Sequence, residues 1–547
     1  MKNKTIRNIA LLLFSLVFVY GLASFSVYEN MHPIMNTVFF SGSITQGAPV
    51  NIWYFVSHFL LADVYMKLYS ITSDIPWYAV IMFFYVAVSL FFILYIFLKN
   101  NQQVSFKGKI LPVFLILILA TEFIFVFQYT RIAFALGAAS TLALLLGGKE
   151  SKLAAFTSFV LFIICLLTRH EAGVYIFLIQ WLAFLLISNR TFSKTALFLN
   201  TAAFALIMGY IVYDRVTTND YLKQFEPELG YQLLDRGNIV PLSTMKNAVD
   251  SAKYMAVINL ITDQQYTSIA FLRSLVAENA FVGFNKDLAF RALKLLGGTL
   301  FHSMGLFIMY IGLLMLVLRQ ALATDKTTAL KILLFNLSLC SIIVVTTYSI
   351  FLQFYTLDVM LTIASLILLS QIDFVSLRFK NVSSLLYCII IIGIVVLFQK
   401  NLEYSKKLSQ KVEANEKYLD ELKKRYAGKI LVPGLSQKKP ILLSSKPFQK
   451  LDFSAFSRLY LFDADVTYIE PHYNAYLSKE CNCDANSYTN FMDFLDSKKD
   501  SVRIISDQER IDAIKHYCHV VRGKDYNIVP VDSLNVNGNS VTVFTFQ

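Results

Sequence analysis

Charge is what this sequence has little of. Asp, Glu, Lys and Arg make up 16% of its 547 residues, against roughly 25% in soluble globular proteins, and that deficit argues against an ordinary solvated enzyme. Cysteine is sparse as well and decides little. Cys165, Cys340 and Cys388 fall in apolar blocks, where a thiol behaves as a small hydrophobe. Cys481, Cys483 and Cys518 fall in the C-terminal tail. In an oxidising compartment one of the first two could pair with Cys518; free thiols, or zinc held with His516 or His519, are the other readings. The tail lacks a Gly-rich phosphate loop, a G-x-S-x-G elbow and an H-E-x-x-H pair. It is read first as a binding or packing module. No small-x-small cleavage site follows the first apolar block, which is therefore read as a retained signal anchor.

What is abundant is apolar: 56% of the residues are hydrophobic and the mean hydropathy is +0.55. These residues gather into blocks of about 17 to 22, the length at which a helix crosses a ~30 Å hydrocarbon core. The spacing predicts eleven transmembrane helices: Ile9–Tyr28, Trp77–Leu98, Ile110–Phe127, Ile132–Leu146, Leu153–Thr168, Ala172–Ile187, Thr195–Tyr213, Thr299–Leu318, Ile332–Leu352, Tyr355–Ile372 and Val382–Phe398. The net charge of +12 does not indicate nucleic acid, because Lys and Arg cluster in alternate short loops. Those loops hold Lys99, Lys107 and Lys109; Lys149 and Lys152; Arg190 and Lys194; Arg319, Lys326 and Lys331; Arg378 and Lys380. All lie on the side of Lys2, Lys4 and Arg7, and positive residues accumulate on the cytoplasmic side. The expected chain is thus a polytopic α-helical protein of the inner (plasma) membrane, N-terminus cytoplasmic and C-terminus extracytoplasmic.

Residues 1–400 form the expected transmembrane region, with outer loops 29–76 and 214–298. Within the first loop, Asn51–Ser70 is apolar at helical spacing but carries His58, Asp63 and Lys67, which suits a helix lying in the interface. Residues 401–547 are expected to form an extracytoplasmic α/β domain. A charged helical stalk (Asn401–Lys424) opens it, followed by short β-rich runs at Ile430–Val432, Leu459–Phe462, Val502–Ile505, Tyr526–Val531 and Val541–Phe546. Ser506 followed by Glu509 reads as a capping box for a helix through Val520.

Charges at the ends of membrane helices are expensive and usually functional, and this chain gathers them on the outer side. Glu122 lies late in the third span, and Arg131 opens the fourth. Arg169, His170 and Glu171 join the fifth and sixth, Asp214 and Arg215 end the seventh, His302 falls in the first turn of the eighth, and Asp358 follows the outer end of the ninth. All seven histidines, His32 among them, are outside or at the boundary. Arg131 and Arg169 run against the charge bias. Paired N–H donors of an Arg can hold a phosphate; equally, the two can pair with Glu122 and Glu171 or snorkel to lipid phosphates. Glu29, leaving the first span, is the candidate general base toward an acceptor hydroxyl, or else a solvated helix end. Arg131, Arg169, His170, Glu171, His32, Asp63, Arg215 and His302 are the candidate substrate-binding set. No metal ligands are assigned, and a divalent metal is possible.

This layout resembles the GT-C superfamily of membrane glycosyltransferases. Those proteins have an inside N-terminus, a first outer loop with interfacial helices, seven spans before a second long outer loop, and often an outer C-terminal domain. Here residues 29–76 and 214–298 occupy the two loop positions. The superfamily commonly carries an Asp or an acidic pair early in the first outer loop; this chain offers Glu29 followed by Asn30, then Asp63 and Asp74. The resemblance implies transfer of a sugar from a lipid-linked (polyprenyl-phosphate) donor to a glycan or lipid acceptor at the cell envelope. Partners would be that donor, the acceptor and membrane lipids, with no nucleic acid. A polysaccharide polymerase or ligase and a non-enzymatic envelope scaffold are the alternatives. A transporter is disfavoured, because no paired Gly/Pro-broken spans recur in corresponding halves.

Overall fold

The computed structural model describes residues 2–28, 40, 59–146, 152–187, 193–217, 240–258, 269–275, 286–350, 354–372, 374, 384–433, 447–448, 491–536 and 539–547. In chain order the elements are α1 (Lys2–Ala23), β1 (Val27–Tyr28), α2 (Phe59–Ile71), α3 (Trp77–Asn100), α4 (Phe106–Thr121), β2 (Val126–Phe127), α5 (Tyr129–Leu146), α6 (Lys152–Thr168), α7 (His170–Leu186) and α8 (Lys194–Thr217). The second loop contributes α9 (Ala248–Ile258), α10 (Ile269–Ser274) and α11 (Lys286–His302). Then come α12 (Met304–Thr324), α13 (Lys326–Ile350), α14 (Phe354–Gln371) and α15 (Ser384–Arg425). The tail holds β3 (Ile430–Pro433), α16 (Phe491–Lys498), β4 (Val502–Ser506), α17 (Gln508–Tyr517), β5 (Ile528–Val536) and β6 (Asn539–Phe546).

A helix lies at each of the eleven apolar blocks. Among the described residues, seven stretches are long and apolar enough to cross a membrane: Thr5–Ala23, Trp77–Asn100, Tyr129–Leu146, Lys194–Tyr213, Met304–Thr324, Lys326–Thr347 and Cys388–Gln410. Gly108–Thr121, Lys152–Thr168, His170–Leu186 and Thr356–Gln371 are shorter apolar helices.

Helix α5 is the axis of the bundle. Its sequence is dominated by small residues (Ala133, Ala135, Gly137, Ala138, Ala139, Ser140, Ala143), all buried, and small residues let helix backbones approach closely where no aqueous hydrophobic effect drives them together. Helices α3, α6, α7 and α14 pack around it. A ring of amides and hydroxyls ties four helices at one level. Ser140 and Ser158 exchange hydrogen bonds to each other's carbonyls (2.8 and 3.0 Å), Gln180 donates to Ser140 (3.1 Å), and Asn200 donates to Ser158 (3.1 Å) and to Gln180 (3.0 Å).

The second tight contact joins α12 to α15. A Cβ added at Gly305 would lie 2.5 Å from the Leu397 nitrogen, and one at Gly393 would lie 2.8 Å from the Met309 nitrogen. Only hydrogen fits at either position.

Two details depart from the sequence reading. The eighth span was expected to open at Thr299 with His302 in its first turn. Instead the helix breaks at Ser303, whose φ of −96° and ψ of 21° are not helical, so His302 ends α11. Hydropathy alone joins the apolar end of α11 to α12, but the Ser303 hydroxyl is drawn aside to donate to Asp358. In the tail, the helix cap is Asp507, not Ser506. The Asp507 carboxylate accepts from the Arg510 N–H at 3.0 Å, one residue later than the capping-box spacing suggests.

The tail sheet runs β3-β4-β6-β5, with β3 and β4 parallel and β4, β6 and β5 antiparallel. Tail helix α17 packs on α9 of the second loop. The run Leu459–Phe462, Cys481 and Cys483 lie outside the described residues; Cys518 is buried. The stalk is continuous with the last apolar block, so the boundary at residue 400 falls inside α15.

Candidate functional site

Helix ends decide where the charged residues meet. The C-terminus of α4, the N-terminus of α5, the α6–α7 junction, the break before α12 and the N-terminus of α14 all lie at the end of the bundle from which α15 leaves. Contacts fix this: Tyr129 at the start of α5 lies under Arg169, whose guanidinium sits 5.2 Å from the ring centroid. The opposite end is marked by Asn100 donating to the Leu146 carbonyl (3.0 Å) and by the Ser193 N–H donating to the Leu144 carbonyl (3.0 Å).

At the stalk end, four charged side chains form one buried network. Arg131 donates to the Glu122 carboxylate at 3.0 Å and to the Glu122 carbonyl at 3.1 Å, and it reaches Asp358 at 3.5 Å. Lys400 lies 3.4 Å from the same Asp358 oxygen. Asn401 donates to Glu122 at 2.7 Å and Ser303 donates to Asp358. Glu122, Arg131 and Asp358 are 2%, 3% and 1% exposed. Two carboxylates and two cations balance one another, and that mutual pairing offsets the cost of holding charged groups away from water. The local sequence explains the geometry: α4 stops at Glu122, a turn leads to β2, and β2 pairs in parallel with β1 (Val27↔Val126, Tyr28↔Phe127). That pairing returns the chain so that α5 starts with Arg131 facing back toward Glu122.

The second group is more open. Arg169 pairs with Glu171 at 2.8 Å, and His170 lies 3.4 Å from the other Glu171 oxygen, with side chains 17%, 26% and 39% exposed for Arg169, His170 and Glu171. Both arginines therefore make the carboxylate pairings that the sequence offered, Arg131 with Glu122 and Arg169 with Glu171. Both also flank the N-terminus of α5, Arg131 in the buried network and Arg169 over Tyr129.

The remaining candidates are placed as follows. Asp63 is exposed on α2, while Tyr65 and Tyr69 of the same helix are buried. Helix α2 thus packs on α3 through one face and presents Asp63 on the other. Arg215 lies in the last turn of α8 and His302 ends α11; their side chains lie outside the described residues. Glu29 and His32 also lie outside them, although Tyr28, the residue before Glu29, is anchored in the β1–β2 pair. Among the described residues, no three His, Cys, Asp or Glu side chains are grouped to hold a metal.

The sequence reading did not assign Lys400, Asn401 or Ser303. The available signal was the Lys-Asn pair at the edge of the last apolar block, which reads as the start of a solvated stalk until its helical phase is known. Compared with known proteins, the chain matches no family model, no curated protein and no solved structure.

Proposed function

We propose that the chain is a plasma-membrane glycosyltransferase of the GT-C kind, moving a sugar from a polyprenyl-phosphate donor to an extracytoplasmic glycan or lipid acceptor. In this reading all eleven apolar helices span the bilayer, with the N-terminus cytoplasmic and the stalk end outside. The observation that carries it is the convergence, at one end of an apolar bundle, of Arg131, Arg169, His170, Glu171 and Lys400. Charge at membrane depth is costly, and its concentration at one end is the usual mark of a polar substrate's site. Arg169, with a side chain 17% exposed, is the cation able to meet a phosphate without dismantling the buried network. Glu29 is the proposed base. A divalent metal, if the reaction uses one, would have to draw ligands from residues outside those described.

Purified protein incubated with labelled polyprenyl-phosphate sugars and envelope glycan acceptors tests this reading. Transfer should occur, and Glu29→Gln should lower turnover about 10²–10⁴-fold, the range for loss of a general base, with donor binding nearly unchanged. Transfer that is unaffected in Glu29→Gln removes the base assignment. The internal pairing of Arg131 with Glu122 and Asp358 favours a second reading, an envelope scaffold without chemistry. Absence of transfer with every donor, together with retention of a partner by the tail, would establish that one instead.

A further inference from the structure

Glu171 holds two neighbours at once. One of its carboxylate oxygens accepts from the Arg169 Nε at 2.8 Å, and the other lies 3.4 Å from the His170 Nε2. The three residues are consecutive in the chain yet differently secured. Arg169 precedes α7 with an extended backbone (φ −157°, ψ 106°), and its guanidinium rests over the Tyr129 ring, 5.2 Å from the centroid. Tyr129 is itself buried, so the platform beneath the cation is fixed by the start of α5, and an aromatic face attracts a cation whether or not a carboxylate is present. Glu171 is the most exposed of the three, at 39%. It sits in the first turn of α7, where the positive end of the helix dipole stabilises a carboxylate whichever neighbour it faces.

A phosphate approaching Arg169 therefore meets an anion already in place. Ion pairs that solvent reaches contribute little, so exchanging one anion for another at this guanidinium is a small step. At Arg131 it would be a large one, because both partners there are buried. The displaced carboxylate has a second partner within reach. An imidazole N–H can donate to it whether the ring is neutral or protonated, and His170 already faces its other oxygen.

We propose that Glu171 is an internal competitor for the donor's phosphate, a two-position carboxylate that occupies Arg169 until a lipid-linked phosphate takes the guanidinium, and then turns onto His170. The inference rests on the reading of Arg169 as the donor's phosphate contact and adds a selectivity element to it. A phosphate offers an arginine the same paired acceptors as a carboxylate, whereas a neutral headgroup offers nothing that displaces Glu171. The apparent affinity for the donor is the intrinsic affinity scaled by the fraction of molecules in which Arg169 is released. The Arg169–Glu171 bond lowers that fraction and His170 raises it.

Calorimetric titration of the full chain in detergent with farnesyl phosphate, and with farnesol as the uncharged control, tests this. Glu171→Gln keeps the side chain's size and removes its charge. It should tighten farnesyl phosphate about two- to fivefold, the weight of an ion pair that solvent reaches, and leave farnesol unchanged. Arg169→Ala should weaken farnesyl phosphate roughly tenfold or more, with or without Glu171→Gln. His170→Phe keeps a ring but no donor. It should weaken farnesyl phosphate about two- to fivefold on its own and have no effect in the Glu171→Gln background, a dependence that a purely structural histidine would not show. Should His170→Phe fail to purify as a single species, His170→Ala makes the same comparison. Unchanged or weaker binding in Glu171→Gln, or an equal gain for farnesol, overturns the competitor, while the loss in Arg169→Ala leaves the donor reading standing. Equal loss from His170→Phe in both backgrounds places His170 on the phosphate and overturns the switch. If wild type and Glu171→Gln both bind farnesyl phosphate no better than farnesol, the donor reading falls and the proposal with it.

Discussion

Removing Arg131 would leave Glu122 and Asp358 facing each other's field, with Lys400 the one cation paired to either among the described residues. Breaking a buried ion pair by deleting one partner typically costs about 3–5 kcal/mol, because the charge left behind cannot recover its hydration. Arg131→Ala should accordingly lower the thermal midpoint of the detergent-solubilised protein strongly. A near-unchanged midpoint would show that water reaches the network. Arg169 should behave differently. Its side chain is partly exposed and its partner Glu171 more so, and ion pairs of that kind contribute about 0–1 kcal/mol. Arg169→Ala should leave the thermal midpoint nearly unchanged while weakening donor binding roughly tenfold or more, the loss expected when a charged donor worth about 1.5–3 kcal/mol is removed. Equal donor affinity in wild type and variant would assign Arg169 to the Glu171 pairing alone. Residue types at the helix ends were legible in the sequence, including both Arg–Glu pairings as an option. Their partners on α14 and α15 were not, since a contact between Arg131 and Asp358 spans 227 positions and nothing in either local stretch encodes it.

Among the elements, helix positions followed from hydropathy because burying a backbone in lipid leaves the helix as the only local solution. Ends were less legible. Ser303 breaks a run that hydropathy reads as continuous, and the stalk Asn401–Lys424, read as helical, joins the last apolar block without a break in α15. The polar ring of Ser140, Ser158, Gln180 and Asn200 also passed unnoticed, as isolated hydroxyls and amides within apolar blocks look like tolerated exceptions until two of each meet. Helix pairing rests on a different signal, the glycines at the α12–α15 crossing. Gly393→Leu places a branched side chain where a Cβ alone would already be 2.8 Å from the Met309 nitrogen. The helices must separate, and overpacking of this sort costs typically 1–3 kcal/mol. Gly21, whose Cβ would meet nothing within 4 Å, serves as the control. Thermal melts should show Gly393→Leu destabilised and Gly21→Leu unaffected; equal melting of the two would mean that the crossing is not tight.

For the whole molecule, orientation is the property on which the functional proposal depends most. The end carrying the network and the stalk must face away from the cytoplasm if the chain is to meet an extracytoplasmic acceptor. Geometry alone is symmetric in this respect, since an apolar bundle can be inserted either way up. Charge breaks the symmetry. Lys99, Lys109, Lys152, Lys194, Arg319 and Lys326 flank helix ends opposite to the network, and Lys and Arg in short loops are retained on the cytoplasmic side. The stalk end carries its charge differently, as carboxylates paired with Arg131, Arg169 and Lys400, so those cations add little net positive charge there. The tail follows the final span, so its side is set by whether Val382–Phe398 crosses. Alkaline phosphatase, active only outside the cytoplasm, should be inactive when fused after Lys380 and active when fused after Gln547. A cytoplasmic reporter such as green fluorescent protein should give the opposite pair. Activity at the first site would invert the bundle, and inactivity at both would leave the tail in the cytoplasm; either outcome removes the stalk end from any extracytoplasmic acceptor, and the glycosyltransferase proposal falls with it.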